Sequence, residues 1–266
     1  AALSLAGCSD DENGNGGNGG NGGSGEGGNP SGGDLTEILF EDGTQIGDGR
    51  QEFEIKGDYT LPKGTYLLKG WCYIADGASL TLAPGTIIKG DKAALIVEPG
   101  GQLWAKGTQS EPIVFTSEMP AGNRRPGDWG GIILCGRGVN NKGTMQIEGG
   151  PRTTHGGSDN ADCSGALSYV RCEFAGYPFK EDQEINAITF GSVGSATQID
   201  HVQVSYSNDD SYEWFGGAVN AKYLISYHTW DDDFDTDNGF CGKVQFCLGV
   251  RQPRIADTSA SNGFES

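Results

Sequence analysis

The sequence predicts an all-β chain wound as a single-stranded right-handed parallel β-helix, a solenoid of about 22–24 residues per rung, preceded by a disordered tether. Three observations point there. Past Asp34, short runs of β-branched and aromatic residues alternate with Gly, Asn, Asp and Pro, and almost no segment has a helical period. Next, Gly77-Ala78-Ser79-Leu80 with Gly85-Thr86 returns as Gly100-Gly101-Gln102-Leu103 with Gly107-Thr108, so Leu80 and Leu103 lie one period of about 23 residues apart. Each copy precedes an apolar strand, Ile87-Ile88 in the first and Ile113-Val114-Phe115 in the second. Finally, the same step recurs downstream: Trp214-Phe215-Gly216, Asn238-Gly239-Phe240 and Asn262-Gly263-Phe264 bring back their glycines at that interval, and Asp209-Asp210 returns as Asp232-Asp233. A fixed step of strands and turns without helices describes a coil that rises one strand spacing, about 4.8 Å, per turn.

In chain order, Ala1 to Gly7 reads as the end of a signal-peptide apolar region, with small residues before Cys8. Leu5-Ala6-Gly7-Cys8 resembles a bacterial lipobox, which implies that the Cys8 sulfur is acylated and that Cys8 becomes the first mature residue. No basic n-region precedes it, so the sequence is expected to begin late. Ser9-Asp10-Asp11-Glu12 resembles the acidic export signal that sends lipoproteins of the Bacteroidetes to the outer face of the outer membrane. Residues 8–33 are then a tether: from Asn13 to Gly33 the chain is almost all Gly, Asn and Ser, which lose too much conformational entropy on ordering to fold. About 21 such residues reach roughly 25 Å in the mean. The β-helix is expected over 34–266, and because Ser266 falls inside what reads as another rung, the coil is expected to run on.

Within the coil, Glu118 to Asp128, Gly149 to Gly165 and Gly176 to Glu184 are too polar and too rich in Gly or Pro to be rungs. They read as loops projecting from the coil, where solenoids carry specificity. Trp129-Gly130-Gly131-Ile132-Ile133-Leu134 restarts a strand. Gly77 to Phe115, this restart, and Asp209-Asp210 to Glu213-Trp214-Phe215-Gly216-Gly217 together resemble a group of right-handed β-helix surface lipoproteins of the Bacteroidetes, from about Gly57 to the end. The resemblance is specific as to fold and implies no particular chemistry.

The formal charge of −18 and the sequence pI of about 4.4 argue against nucleic acid, whose binding needs Lys and Arg to displace counterions. Cations and neutral glycans suit such a surface better. With Cys8 set aside, six cysteines remain, and the close pairs Cys163/Cys172 and Cys241/Cys247 are the candidate disulfides of an exported protein. Inward-facing, stacked free thiols are the alternative.

The densest polar cluster runs from Asp231 to Asn238, with Asp209, Asp210 and Glu213 expected one rung away. Asp209, Asp210, Glu213, Asp232, Asp233, Asp235 and Asp237 are the candidate metal ligands, and calcium is the expected cofactor because it takes six to eight oxygens in tolerant geometry. A solvated acidic turn is the competing reading. Trp214 and Trp230 are the candidate exposed sugar-stacking residues, whereas Phe215 reads as core. The expected function is a binding or adhesion module for glycan or protein, held to the outer membrane by its lipid.

The other reading is a calcium-dependent polysaccharide lyase or hydrolase on the same scaffold. Asp235-Thr236-Asp237 and Asp232-Asp233 faintly resemble polygalacturonase carboxylate motifs, but the Gly-His-Gly and Arg-x-Lys that such enzymes also need are absent. Ile199-Asp200-His201 resembles a fragment of the pectate lyase signature, with Arg251 or Arg254 as the base; strand alternation is expected to turn Asp200 and His201 to opposite faces. No catalytic residue is assigned. An Arg or His close to Asp233 or Asp237 would favour the enzyme. The three histidines, His155, His201 and His228, are expected on the surface or in loops.

Overall fold

The computed structural model describes residues 43–50, 52–180, 183–258 and 261–266; the Cys8 acylation site and the tether lie outside them. No helix is present among the described residues. Among the described residues, sixteen strands join into one continuous sheet by parallel pairing, because the chain climbs a right-handed coil. Leu80 pairs with Leu103, Gln198 with Asn220, Asn220 with Lys243 and Tyr212 with Phe234, so one turn takes about 22–23 residues wherever no excursion intervenes.

Each complete turn presents three strand segments. The first face contains Asp58–Leu61, Ser79–Leu82 and Gln102–Lys106, then the opening halves of Gly165–Glu173, Gln198–Ser205, Asn220–Tyr227 and Lys243–Val250. The closing halves of those long strands form the second face with Ile113–Ser117 and the opening half of Ile87–Val97. The third face stacks the closing half of Ile87–Val97 with Gly131–Cys135, Ile188–Gly191, Tyr212–Phe215 and Phe234–Asp237.

Alternation sends every second side chain inward, where equivalents stack. One interior column runs Leu61, Leu82, Ala105, Leu167, Ile199 and Ala221, all buried. Two others are aromatic: in one, Phe190 stacks on Trp214 at 5.2 Å between centroids, and in the other, Tyr212 on Phe234 at 5.4 Å. Gly165 shows why glycine opens a strand here. Its φ is +103°, and a Cβ would stand 2.1 Å from the Leu103 carbonyl oxygen one rung below.

Two sequence expectations change at the corners. Asp200 and His201 share the outer face, His201 Nδ1 lying 2.8 Å from Asp200 Oδ1, because His201 turns the corner with φ +51° and interrupts the alternation. The excursion from 136 to 164 also folds back instead of projecting. Its Met145–Gln146 and Thr154–His155 hairpin lays Ile147 over Trp71, Tyr73, Ile96, Ile133 and Cys135, the outward side chains of the lower third face, forming a second apolar core outside the coil. Burying these side chains is what makes the hairpin lie flat.

The Asn262-Gly263-Phe264 segment stacks on the third face as the next rung, with Phe264 5.0 Å from Phe234, but not in the register its spacing suggested. Asp235 bridges to Glu265, well beyond the length of one turn, and the Asp233 N–H donates to the Asn262 carbonyl, so Gly263 lies beside Asp233 and not beside Gly239.

Neither expected disulfide forms, since Cys172, Cys241 and Cys247 are free thiols. Cys172 points inward between Phe115 and Val204, its S–H directed at the Ala187 carbonyl 3.5 Å away, and Cys247 stands in register with Leu224. Residues that share a column face along the coil axis and not toward close neighbours in the sequence.

Candidate functional site

One outward column of the third face explains where the site lies. It runs Ile96, Ile133, Thr189, Glu213, Asp235, each paired with the next, and so changes from apolar to acidic as it climbs. The folded-back hairpin covers its lower, apolar part, and the acids above stay open to a pocket of about 230 Å³ lined by eight carboxylates and Asn186.

The corner preceding this face supplies the rest through a backbone-capping ladder. Asn186 Oδ1 accepts the Asp210 N–H at 3.2 Å, Asp210 Oδ1 accepts the Asp232 N–H at 2.8 Å, and Asp232 Oδ1 accepts the Asn262 N–H. Each side chain therefore satisfies the amide one turn up. Asn186 Nδ2 also donates to Glu213 Oε2. Two sets of three carboxylates result, Asp209 with Asp210 and Asp231, and Asp210 with Glu213 and Asp235; within each set one oxygen per residue lies within 4.8 Å of the others.

Proton affinities register the crowding. Burial first, then the charge of Asp209, pushes Asp210 up to about 9. Burial and then Asp210, Glu148 and Asp235 hold Glu213 well above the carboxylate range. Asp232 rises to about 7, again through burial, held back by the Asn262 amide. Asp235 is raised by burial, then by Glu265 and Asp237. In a cation-free pocket near neutrality, protons relieve the repulsion.

Of the expected ligands, Asp209, Asp210, Glu213, Asp232 and Asp235 line this pocket, joined by Asp231, Glu148 and Glu265. The apparent return of Asp209-Asp210 as Asp232-Asp233 had misplaced the set by one position. The true register puts Asp231 and Asp232 over Asp209 and Asp210, and the pairing of Tyr212 with Phe234 is the aromatic signal that could have shown it. Asp233 instead turns inward, 2 % exposed, accepting from Ser226 Oγ at 2.5 Å and facing Arg251 Nη1 at 3.3 Å in space left by Gly249. The arginine is thus as close as the enzyme reading required, but Asp233 is buried within the coil and neither residue lines the acidic pocket. Asp237 is exposed and belongs to an adjoining cleft of about 800 Å³, which shares Glu148 and Glu213 with the pocket and adds Lys142 and His155.

Trp214 is not a surface platform. It is fully buried, with Phe190 at 5.2 Å and Phe240 at 5.6 Å, because its strand position alternates inward. Trp230 is 39 % exposed, as expected, but lines neither pocket. Phe215 is buried in the outer apolar core, under the hairpin. His155, expected at the surface or in a loop, belongs to the 136–164 excursion but is buried there. Its Nδ1 lies 2.8 Å from Ser192 Oγ, burial lowers it to about 4 and keeps it neutral, and no group among the described residues bonds its Nε2.

Residues 53–266 match the family described as the pectate-lyase-like β-helix domain. The chain belongs to that family. Comparison with curated proteins and with solved structures returned no significant match. For a pectate-lyase-like β-helix, the match settles the scaffold and leaves the chemistry to the residues described above.

Proposed function

We propose that this β-helix is a surface-anchored binding module for extracellular glycan or protein, that calcium occupies its acidic corner, and that acylation of Cys8 ties it to the outer membrane. The observation that carries the calcium reading is the donor set: eight carboxylates converge on one small pocket with no Lys, Arg, His or Cys among the lining residues. A hard cation with a preference for oxygen suits it, and calcium tolerates the irregular geometry of side chains drawn from two successive turns, from the hairpin through Glu148 and from the turn above through Glu265. Because those carboxylates come from neighbouring rungs, the ion would also clip the rungs together. Calorimetric titration of calcium into the chelator-treated chain tests this; heat at a defined stoichiometry and a raised melting temperature are expected. Absence of heat, with melting unchanged by chelator, would refute it.

A second reading, a calcium-dependent polysaccharide lyase or hydrolase, draws on the adjoining cleft, where Lys142 and neutral His155 stand beside Glu148 and Glu213. A substrate laid there would contact both a basic group and an ion in the acidic pocket. Release of unsaturated sugar ends or new reducing ends from soluble polysaccharides, lost on Lys142→Ala, would support this reading over simple binding.

A further inference from the structure

The corner between the first and second faces, away from the acidic pocket, carries a feature that the sequence reading did not anticipate. Tyr169, His201, Tyr223 and Phe246 occupy the same position on four successive turns, and all four have positive φ, between 49° and 58°. Such backbone is strained for a non-glycine residue, and glycine would adopt it freely. Bulky rings stand there instead, stacked at 4.4, 4.6 and 5.0 Å between centroids. Stacking offsets part of that strain but does not require the upper rings to be open: Tyr223 is 42 % exposed and Phe246 66 %.

The column forms a ridge between two grooves. One, of about 500 Å³, is walled by Gln198, Asn220, Lys222, Lys243 and Gln245; the other, of about 410 Å³, by Gln109, Arg171, Gln203, Ile225 and Leu248. In a chain with twice as many acids as bases, the two grooves border a single carboxylate, Asp200. Burial raises that group, but hydrogen bonds from His201, Gln198 and Ser168 outweigh it and hold its pKa below the usual range. Lys222 and Lys243 form no ion pair among the described residues.

We propose that this corner is a binding ridge for an extended neutral polysaccharide, which lies along the coil axis in the grooves beside the ring column. A neutral chain needs no counter-charge, and the amide-rich walls of these grooves can bond its hydroxyls without stripping water from a cluster of carboxylates. Face-to-face stacking leaves the ring edges outward, and an aromatic edge carries partial positive charge that suits the oxygens of a sugar. The amides of Gln198, Asn220 and Gln245 supply paired donors and acceptors for hydroxyls. The ring column repeats once per rung, about 4.8 Å, which is close to the length of one pyranose unit in an extended chain, and beside it Gln198, Asn220 and Lys243 stand in register, as do Lys222 and Gln245. The inference rests on the glycan part of the proposed function and assigns it a place.

The test is native affinity electrophoresis of the whole chain in gels containing mixed-linkage β-glucan, xylan or dextran, with polygalacturonate as the anionic control. At least one neutral polymer is expected to retard the protein. Tyr223→Ala with Phe246→Ala should weaken that retardation at least tenfold, as should Asn220→Ala with Gln245→Ala, a pair on the groove wall that leaves the ring stack intact. Chelator and Asp210→Asn should leave it unchanged. Retardation by polygalacturonate alone, abolished by salt, would overturn the proposal, as would no retardation by any polymer, which removes the glycan reading as well. Retardation kept by both double variants but lost in Asp210→Asn would move the sugar to the acidic corner, overturning the ridge while leaving glycan binding in place.

Discussion

Replacing Asp210 by Asn should make the cation-free protein more stable near neutral pH, although it alters a buried, hydrogen-bonded residue. The ladder tolerates the change, because an asparagine oxygen can accept the Asp232 N–H as Asp210 Oδ1 does, and the rung below already uses Asn186 in this role. The proton is what differs. The unfolded chain releases it near 3.8 and the folded chain near 9, so at about pH 7 folding takes up a proton across about three pH units at about 1.4 kcal/mol each. That costs about 4 kcal/mol, which an asparagine does not incur.

The sign follows from the raised folded value. The contribution of Asp210 to stability is fully present below about 3.8 and is lost progressively as pH rises through about 9. In chelator, urea unfolding should therefore show the two proteins nearly equal at about pH 4 and the variant ahead by up to about 4 kcal/mol at about pH 7. Calcium should narrow the gap. A ligand at one hundred times its dissociation constant adds about 2.7 kcal/mol to the wild type, and the variant, lacking the carboxylate common to both sets, should gain much less. A variant that is less stable than wild type in chelator at neutral pH, or a difference that does not vary with pH, would refute the reasoning.

Other perturbations test the scaffold. Trp214→Ala should cost about 3–5 kcal/mol in urea unfolding, since it empties a fully buried indole position between Phe190 and Phe240; a change under about 1 kcal/mol would mean the ring is not interior. Gly165→Ala should destabilise by several kcal/mol or prevent soluble expression, because the new methyl meets the Leu103 carbonyl and the backbone φ of +103° is closed to alanine. A thiol reagent should label exposed Cys241 in the native protein and reach buried Cys72, Cys135 and Cys172 only after denaturation, with burial pushing the Cys72 thiol up to about 12. Rapid native labelling of all of them would show that the interior columns are open.

Much of the fold was legible because a solenoid writes its geometry into a linear period. Leu80 and Leu103 are related by one turn in sequence and in space, and the apolar strands after them recur for the same reason. The site was legible only in outline. The acids near Asp209 and Asp232 could be grouped from their spacing, but a slip of one position exchanges inside for outside, and that slip separated Asp233, which is buried beside Arg251, from Asp231, which lines the pocket. Trp214 was misread in the same way, because composition cannot tell which of two adjacent aromatic residues alternates inward.

By itself the amino-acid order determined the repeat length, the strand-and-turn character and the accumulation of carboxylates in two successive turns, all of which are local or periodic quantities. Tertiary structure alone decided register at single-residue resolution, the folding of the 136–164 excursion onto the third face and the alignment of four rings at one corner. Those depend on contacts between residues separated by variable excursions, and only the packed coil fixes how many residues each excursion removes from the count.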